Sequence, residues 1–205
     1  MTVLTDYALA AVCAGLGFVL LVKRQNQYSR GYWAIAFLAL ALAAALGGTW
    51  HGFPAPVLSR SALFRLWTLT LFFAGVASFG MLAGSAYAAA AGGLRLALVA
   101  FAAAKLAGFT LWIQVNQGFI VVILDTGIAM LLVGLLHALD RRNAASRWIL
   151  SGVGVSLAGA AVQAGGVAPH PDFNHNDLYH VIQAAAMVLY YRGVATMQDR
   201  RPESP

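Results

Sequence analysis

The sequence predicts an all-α integral membrane protein, a bundle of seven transmembrane helices with its N-terminus outside and its C-terminus in the cytoplasm. The composition and a regular succession of apolar runs predict the fold, and the placement of the basic residues predicts the orientation. The 205 residues are 60% hydrophobic and only 10% charged, with a mean hydropathy of +0.74. Soluble domains carry about 25% charged residues, so this composition excludes an ordinary soluble protein.

Seven apolar runs are long enough to cross a bilayer, which takes roughly 17–25 helical residues. We place them near residues 4–22, 32–50, 64–89, 95–115, 118–138, 147–166 and 177–195. They form one predicted domain, residues 1–197, followed by a polar tail, residues 198–205, that we expect to be disordered. The first run is not a signal peptide, because Asp6 precedes its apolar residues and Lys23 and Arg24 follow them.

Basic residues fall in the short loops on one side of the predicted membrane. Ten of them, against two on the other side, lie at Lys23, Arg24, Arg30, Arg95, Arg141, Arg142, Arg147, Arg192, Arg200 and Arg201, with only Arg60 and Arg65 opposite. Cytoplasmic loops carry the excess of Lys and Arg, which gives the predicted orientation of a multi-pass protein, in the cell membrane if the organism is bacterial. The same pattern argues for the lipid bilayer as partner and against nucleic acid. It does not predict an oligomeric state.

Polar residues inside the predicted helices gather in the outer half of the membrane. They come from five helices: His51, Gln114, Asp125, Gln163, His175, Asn176, Asp177, His180 and Gln183. Ionisable groups within a membrane are costly unless they pair, bind metal or face water. Their concentration on one side therefore predicts a functional site there, with Asn176, Gln183, Gln163 and Gln114 around its centre. His137 is the main polar residue of the inner half, and we expect it to be interfacial.

The stretch that opens the seventh helix is the richest in chemistry, with three of the five histidines between residues 168 and 183. His51, His175 and His180 would suit a zinc site with one open position for water. We expect His51 and His180 to share the metal. For the third ligand we rank His175 before Asp177 and Asn176, because an amide is a poor zinc ligand.

Two carboxylates are candidates for the chemistry beside that zinc. Asp125 or Asp177 could orient a ligand or accept a proton from metal-bound water. Asp125 has a second candidate role, since Lys105 lies near the middle of the fourth helix and a buried lysine usually pairs with an acid. We expect His170, between two prolines of the preceding loop, to be solvated.

A histidine at the end of helix two and a histidine motif at the start of helix seven resemble the CREST superfamily, which includes the alkaline ceramidases and the progestin and adipoQ receptors. The resemblance implies an intramembrane zinc that hydrolyses an amide bond in a lipid. His51 matches the helix-two histidine and His180 the second histidine of an H-x-x-x-H pair. Asn176 stands at the first histidine and Gly47 at the family's serine. No acid occurs in residues 64–89 to match its helix-three aspartate, a place that Asp125 could take.

Two classes of function follow from these residues. The first is a zinc-dependent membrane hydrolase acting on an amide or ester bond of a lipid or amphiphile. The second is a non-enzymatic membrane protein, a transporter, sensor or proton relay, that uses the histidine and aspartate cluster as a pH-responsive site.

Overall fold

A computed structural model describes residues 1–53, 57–140 and 143–201 of the chain. These residues form seven α-helices and no β-strand: α1 (Thr2–Val22), α2 (Tyr28–Gly52), α3 (Arg60–Ala89), α4 (Gly92–Trp112), α5 (Phe119–Leu139), α6 (Ala144–Ala164) and α7 (His175–Thr196). The predicted all-α fold of seven helices is confirmed. Arg141 and Arg142, two of the residues behind the orientation prediction, lie outside the described residues.

Six of the seven described helices are long and apolar enough to cross a membrane, and α7 is the exception. The prediction of seven spans therefore holds by length and apolarity for α1 to α6. Helix α7 falls short because its first turns carry His175, Asn176, Asp177 and His180 among the apolar residues. The polarity that lowers its hydropathy is the same polarity that suggested a site.

The helices pack as a ring of six with one helix outside it. Around the ring, α1 contacts α2, α2 contacts α3, α3 contacts α5, α5 contacts α6, α6 contacts α7, and α7 returns to α1. Helix α4 packs mainly on α3 and barely touches α5, and only Ala102 and Phe109 of α4 are buried. Because α1 and α7 are neighbours in the ring, the two ends of the chain build one surface together.

Small residues allow the close helix contacts, as expected where helices associate by van der Waals packing. A Cβ added to Gly80 of α3 would lie 2.6 Å from the carbonyl oxygen of Tyr32. On the other side of the ring, a Cβ added to Gly152 of α6 would lie 2.6 Å from the ring of Tyr190. Side chains at either glycine would push the helices apart.

The chain alternates direction from helix to helix, so each end of the bundle gathers particular termini. We call the end where α1 begins, α2 ends and α7 begins the site end, and the opposite end the tail end. The site end therefore collects residues that are far apart in the sequence, which is what a shared site requires.

The tail differs from its prediction where it is described. Residues 198–201 were expected to be disordered, but Asp199 accepts hydrogen bonds from the backbone N–H groups of Tyr28 and Ser29, each at 2.8 Å. The carboxylate thus satisfies free amides at the start of α2, where a helix dipole favours negative charge. Residues 202–205 of the predicted tail lie outside the described residues.

Candidate functional site

The site is centred on Asp6, a carboxylate in the second turn of α1 that is only 4% exposed. Its Oδ2 lies 2.9 Å from Nδ1 of His51, at the end of α2. Its Oδ1 lies 3.2 Å from Nε2 of His180, in the second turn of α7. One buried carboxylate therefore contacts both of the histidines that the sequence singled out.

Close packing of α1 on α2 allows Asp6 to reach this position. A Cβ added to Gly48, one turn before His51, would lie 2.9 Å from the Cβ of Asp6. That distance is too short for two carbon atoms, so any side chain at Gly48 would displace the aspartate. Gly47, which stands where the resembled family has a serine, would place a Cβ 3.9 Å from Oδ1 of Asp6.

His180 is held from its other side by Thr5, the residue before Asp6. The Thr5 hydroxyl oxygen lies 3.1 Å from Nδ1 of His180 and 3.1 Å from Oδ1 of Asp177. It also lies 3.0 Å from the carbonyl oxygen of Thr2. A chain of polar contacts thus runs from Asp177 through Thr5, His180 and Asp6 to His51, made of three hydrogen bonds and the ion-pair contact between His180 and Asp6.

Asp177 is fixed by the start of α7. It is fully buried, and its Oδ2 accepts a hydrogen bond of 2.8 Å from the backbone N–H of Asn174. The side-chain oxygen of Asn174 in turn accepts from the backbone N–H of Asp177, which completes a capping box. Asn174 also donates to Thr2 at 3.3 Å. The N-terminal cap of α7 is therefore bonded to the first turn of α1.

The protons along this chain can be arranged in more than one way. A hydroxyl carries one proton, and Thr5 has three acceptors within reach. If Thr5 donates to Asp177, then His180 donates from Nδ1 to Thr5, and when Nε2, which faces Asp6, also carries a proton, His180 is an imidazolium. If His180 is neutral and donates to Asp6, its Nδ1 accepts from Thr5 instead. A change in the charge of His180 therefore reverses the direction of its hydrogen bond with Thr5.

The two histidines differ in their access to solvent. The His51 side chain is 30% exposed and the His180 side chain 11%. The ring of His51 meets the edge of Trp50 at 5.2 Å between centroids, and Trp50 packs on Trp67 at 5.0 Å. His51 is therefore the exposed end of the chain, set beside an aromatic pair.

Other predicted site residues are held separately from this chain. Asn176 accepts a hydrogen bond of 2.6 Å from Gln163, and Gln183 accepts one of 3.1 Å from Ser156 on α6. Among the described residues no hydrogen bond or ion pair joins His175 to His51 or His180. Gln114, just after the end of α4, is exposed and donates to the carbonyl oxygen of Thr110, in the last turn of α4, at 3.2 Å.

Asp125 belongs to a second buried group, between α3, α4 and α5. Its Oδ1 lies 2.5 Å from Nζ of Lys105, which confirms the ion pair suggested by the sequence. Lys105 also donates to Ser78 at 2.8 Å. Within the described part of the chain, no hydrogen bond or ion pair links Asp125 to the histidines.

The remaining two histidines lie away from the chain. His170 is exposed, as predicted. His137 was expected to be interfacial, but it is fully buried in the last turn of α5, with ring nitrogens 3.0 Å from the Ser146 hydroxyl and 3.2 Å from that of Ser85. The serines that bury it were not recognised among the small residues of α3 and α6.

Asp6 and Thr5 are the residues that sequence reasoning missed. Asp6 served only as a flanking charge in the signal-peptide argument. The available signal was its place in an apolar run, at the same predicted membrane side as His51 and the start of helix seven. In a membrane such an acid needs a partner, and the histidines were the nearest candidates.

The histidine and carboxylate side chains of the site are not arranged as the ligands of a metal ion. No group of three or more His, Cys, Asp or Glu side chains in residues 1–53, 57–140 and 143–201 is arranged to hold a metal ion. Asp6, His51 and His180 are the set that comes nearest by chemistry. In the described arrangement, however, His51 is hydrogen-bonded to the carboxylate and His180 is in ion-pair contact with it.

Comparison with known proteins places almost the whole chain in one family. A family model described as "Family of unknown function (DUF6962)" matches residues 1–199. No curated protein and no solved structure matches the chain.

Proposed function

We propose that this protein, which belongs to the DUF6962 family, is a non-enzymatic membrane protein. The polar contacts centred on Asp6 form its proton-responsive sensor or relay site. The observation that carries this proposal is the bridging of His51 and His180 by one buried carboxylate. Histidine is the side chain whose charge ordinarily changes between pH 5 and 8. A change in protonation at one imidazole changes the interactions of Asp6, and therefore the environment of the other imidazole.

The chain of polar contacts supports communication over more than one residue. Asp177 does not contact His51, yet Thr5, His180 and Asp6 connect them through contacts of 2.9 to 3.2 Å. Protonation of His51, at the exposed end of these contacts, can therefore affect the buried N-terminal cap of α7. Because that cap joins α7 to α1, the chain couples charge to the helix contact that closes the ring.

The side of the membrane that the site faces is part of the proposal. Basic residues that the structure describes at the tail end include Lys23, Arg24, Arg95, Arg200 and Arg201, whereas Arg60 and Arg65 lie near the site end. By the positive-inside rule, the site end faces the extracytoplasmic side. The contacts between His51, Asp6 and His180 would then respond to the pH outside the cytoplasm.

Trp50 supplies a built-in reporter for the test. Its ring lies against His51, so a charge change on the imidazole alters Trp50 fluorescence. The signal is isolated as the difference between the protein and its Trp50→Phe variant, both in lipid vesicles. We expect a pH-dependent change in this signal that disappears in His51→Gln and persists in His170→Ala, the matched control on the exposed loop.

The relay itself is tested at the far end of the chain. Asp177→Asn leaves every group that touches His51 in place but removes a buried negative charge. We expect the midpoint of the Trp50 signal to change, because Asp177 is connected to His51 through Thr5, His180 and Asp6. A midpoint unchanged in Asp177→Asn, in a protein that still folds, would contradict the relay.

A zinc-dependent hydrolase of lipids or amphiphiles is the second candidate. The convergence of Asp6 with His51 and His180 favours it, since the set offers two imidazoles and one carboxylate, all ordinary zinc ligands. It also agrees with the resemblance to the CREST superfamily. His175 and Asp177 are the further residues that would hold or support the metal, which would supply a Lewis acid and an activated water.

Elemental analysis separates the two candidates. The relay predicts substoichiometric zinc in protein purified without chelators, and a Trp50 titration that is the same before and after chelator treatment. Zinc at one ion per chain, lost in His51→Ala and retained in His170→Ala, would favour the hydrolase.

A further inference from the structure

Two adjoining cavities lie at the tail end, remote from the histidine chain. The first is a groove of about 440 Å³ lined by Leu21, Arg24, Asn26, Gln27, Tyr28, Gly31, Tyr32 and Ile35. The second is a polar cavity of about 280 Å³ lined by Asn26, Gln27, Tyr28, Arg95, Gln198, Asp199, Arg200 and Arg201. Because three residues line both, the two form one continuous depression with an apolar arm and a basic arm.

The basic arm has a fixed frame made by the tail. The carboxylate of Asp199 bonds the start of α2, and its backbone N–H donates to the side chain of Gln27 at 2.7 Å. The backbone N–H of Arg200 donates to the carbonyl oxygen of Tyr87 at 2.9 Å. Arg95 donates to the carbonyl oxygen of Arg200 and packs over the ring of Tyr87. These contacts bring α2, α3, α4 and the tail to one place.

The charge of the depression is strongly positive. Arg24, Arg95, Arg200 and Arg201 line it, and Asp199 is the one carboxylate among the lining residues. That carboxylate is already bonded to the backbone of α2. No ion pair of Arg24 with any described carboxylate is found. The arginines that line the two arms therefore favour an anionic ligand.

The apolar arm lies on the faces of α1 and α2 that the bundle leaves uncovered. Leu21 is 40% exposed and Ile35 is 43% exposed. A Cβ added to Gly31 would meet nothing within 4 Å, so the groove stays open beside these side chains. In a membrane this arm faces acyl chains, while the arginines lie at the helix ends, at the depth of the headgroups.

We propose that this depression binds one anionic phospholipid, with its phosphate in the arginine-lined arm and an acyl chain along Leu21 and Ile35. Basic pockets at the ends of transmembrane helices are suited to anionic headgroups. The combined shape distinguishes a lipid from a free anion, since a small anion makes no use of the apolar arm. The site does not depend on the histidine chain or on the function proposed for it.

The binding test uses native mass spectrometry of the full chain released from nanodiscs of phosphatidylcholine with or without phosphatidylglycerol. We expect one phosphatidylglycerol to stay bound, in preference to phosphatidylcholine. Arg24→Gln with Arg201→Gln should weaken this binding roughly 25-fold, because each basic residue near an anionic surface contributes about fivefold. Arg60→Gln with Arg65→Gln, which removes the same charge near the site end, should leave it unchanged.

The apolar arm has its own variant. Gly31→Phe places a ring in the groove, where an added Cβ meets nothing within 4 Å, and it should reduce phosphatidylglycerol binding. Gly15→Phe is the matched control, because an added Cβ at Gly15 also meets nothing within 4 Å. Thermal unfolding in phosphatidylcholine alone identifies any variant that is merely destabilised.

Three results would overturn the proposal. The first is equal retention of phosphatidylcholine and phosphatidylglycerol. The second is an Arg24 and Arg201 double variant that binds as the Arg60 and Arg65 control does. The third is displacement of the lipid by millimolar inorganic phosphate, with no effect of Gly31→Phe, which would make the depression a small-anion site.

Discussion

The bridging role of Asp6 predicts two unequal coupling energies. Asp6 lies 3.2 Å from Nε2 of His180, whose side chain is 11% exposed, and is hydrogen-bonded at 2.9 Å to His51, whose side chain is 30% exposed. A hydrogen bond to a charged group contributes about 1.5–3 kcal/mol when buried, and exposure to water reduces that contribution. We therefore expect a coupling of about 2 kcal/mol for Asp6 with His180 and about 1 kcal/mol or less for Asp6 with His51.

Double-mutant cycles measure these couplings. One cycle combines Asp6→Ala with His180→Ala and the other combines Asp6→Ala with His51→Ala, and the free energy of unfolding is measured for each protein in lipid–detergent mixtures. The cycle removes the cost of each single truncation and leaves the pairwise energy. Couplings of zero would mean that Asp6 does not hold the imidazoles. A larger coupling for His51 than for His180 would refute the argument from burial.

Three further predictions concern the rest of the bundle. Lys105→Met should destabilise the protein by about 3–5 kcal/mol, because it leaves Asp125 buried without its partner, and adding Asp125→Leu should recover most of that loss in an unfolding assay. His137→Ala should lower the unfolding free energy by roughly 1–3 kcal/mol through the two serines it leaves unsatisfied, while the Trp50 titration stays as it was. Single cysteines at Asn143 and Val167 should be labelled by a membrane-impermeant reagent from opposite faces of sealed vesicles, and labelling of both from one face would contradict the helix count between them.

The helices could be predicted from the sequence because the apolar runs are long and the polar breaks between them short. Their bounds are less well marked: α2 begins at Tyr28 rather than near residue 32, and α3 at Arg60 rather than near residue 64. Both helices start among polar residues that hydropathy assigns to loops. The structure supplies caps there that hydropathy does not register, the Asp199 carboxylate for α2 and the Ser59 hydroxyl for α3.

The candidate site could be predicted in part. His51 and His180 were placed at the same membrane side by counting helices, and the structure brings both to one carboxylate. The carboxylate itself was missed, because which face of α1 meets α2 and α7 depends on the packing of the ring. Gly48 allows α1 to pack closely on α2 at Asp6. In a run of small residues, the sequence does not show which side chain a glycine makes room for.

The polar residues of the inner half were underestimated for a related reason. Serine in an apolar helix can bond to its own backbone, so it predicts no tertiary contact. Ser85 and Ser146 nevertheless enclose His137. Polar groups appeared to be concentrated in the outer half because the sequence argument counted ionisable residues and amides and left out serines.

The bridging of two imidazoles by Asp6 is tested most directly by solid-state NMR distance measurements in lipid bilayers. With ¹⁵N in the histidine rings and ¹³C in the aspartate carboxyl groups, hydrogen bonds of this length place nitrogen and carboxyl carbon within about 4 Å. The account predicts two such contacts, one from His51 and one from His180, that vanish together in Asp6→Ala. Loss of only one contact, or of none, would contradict it.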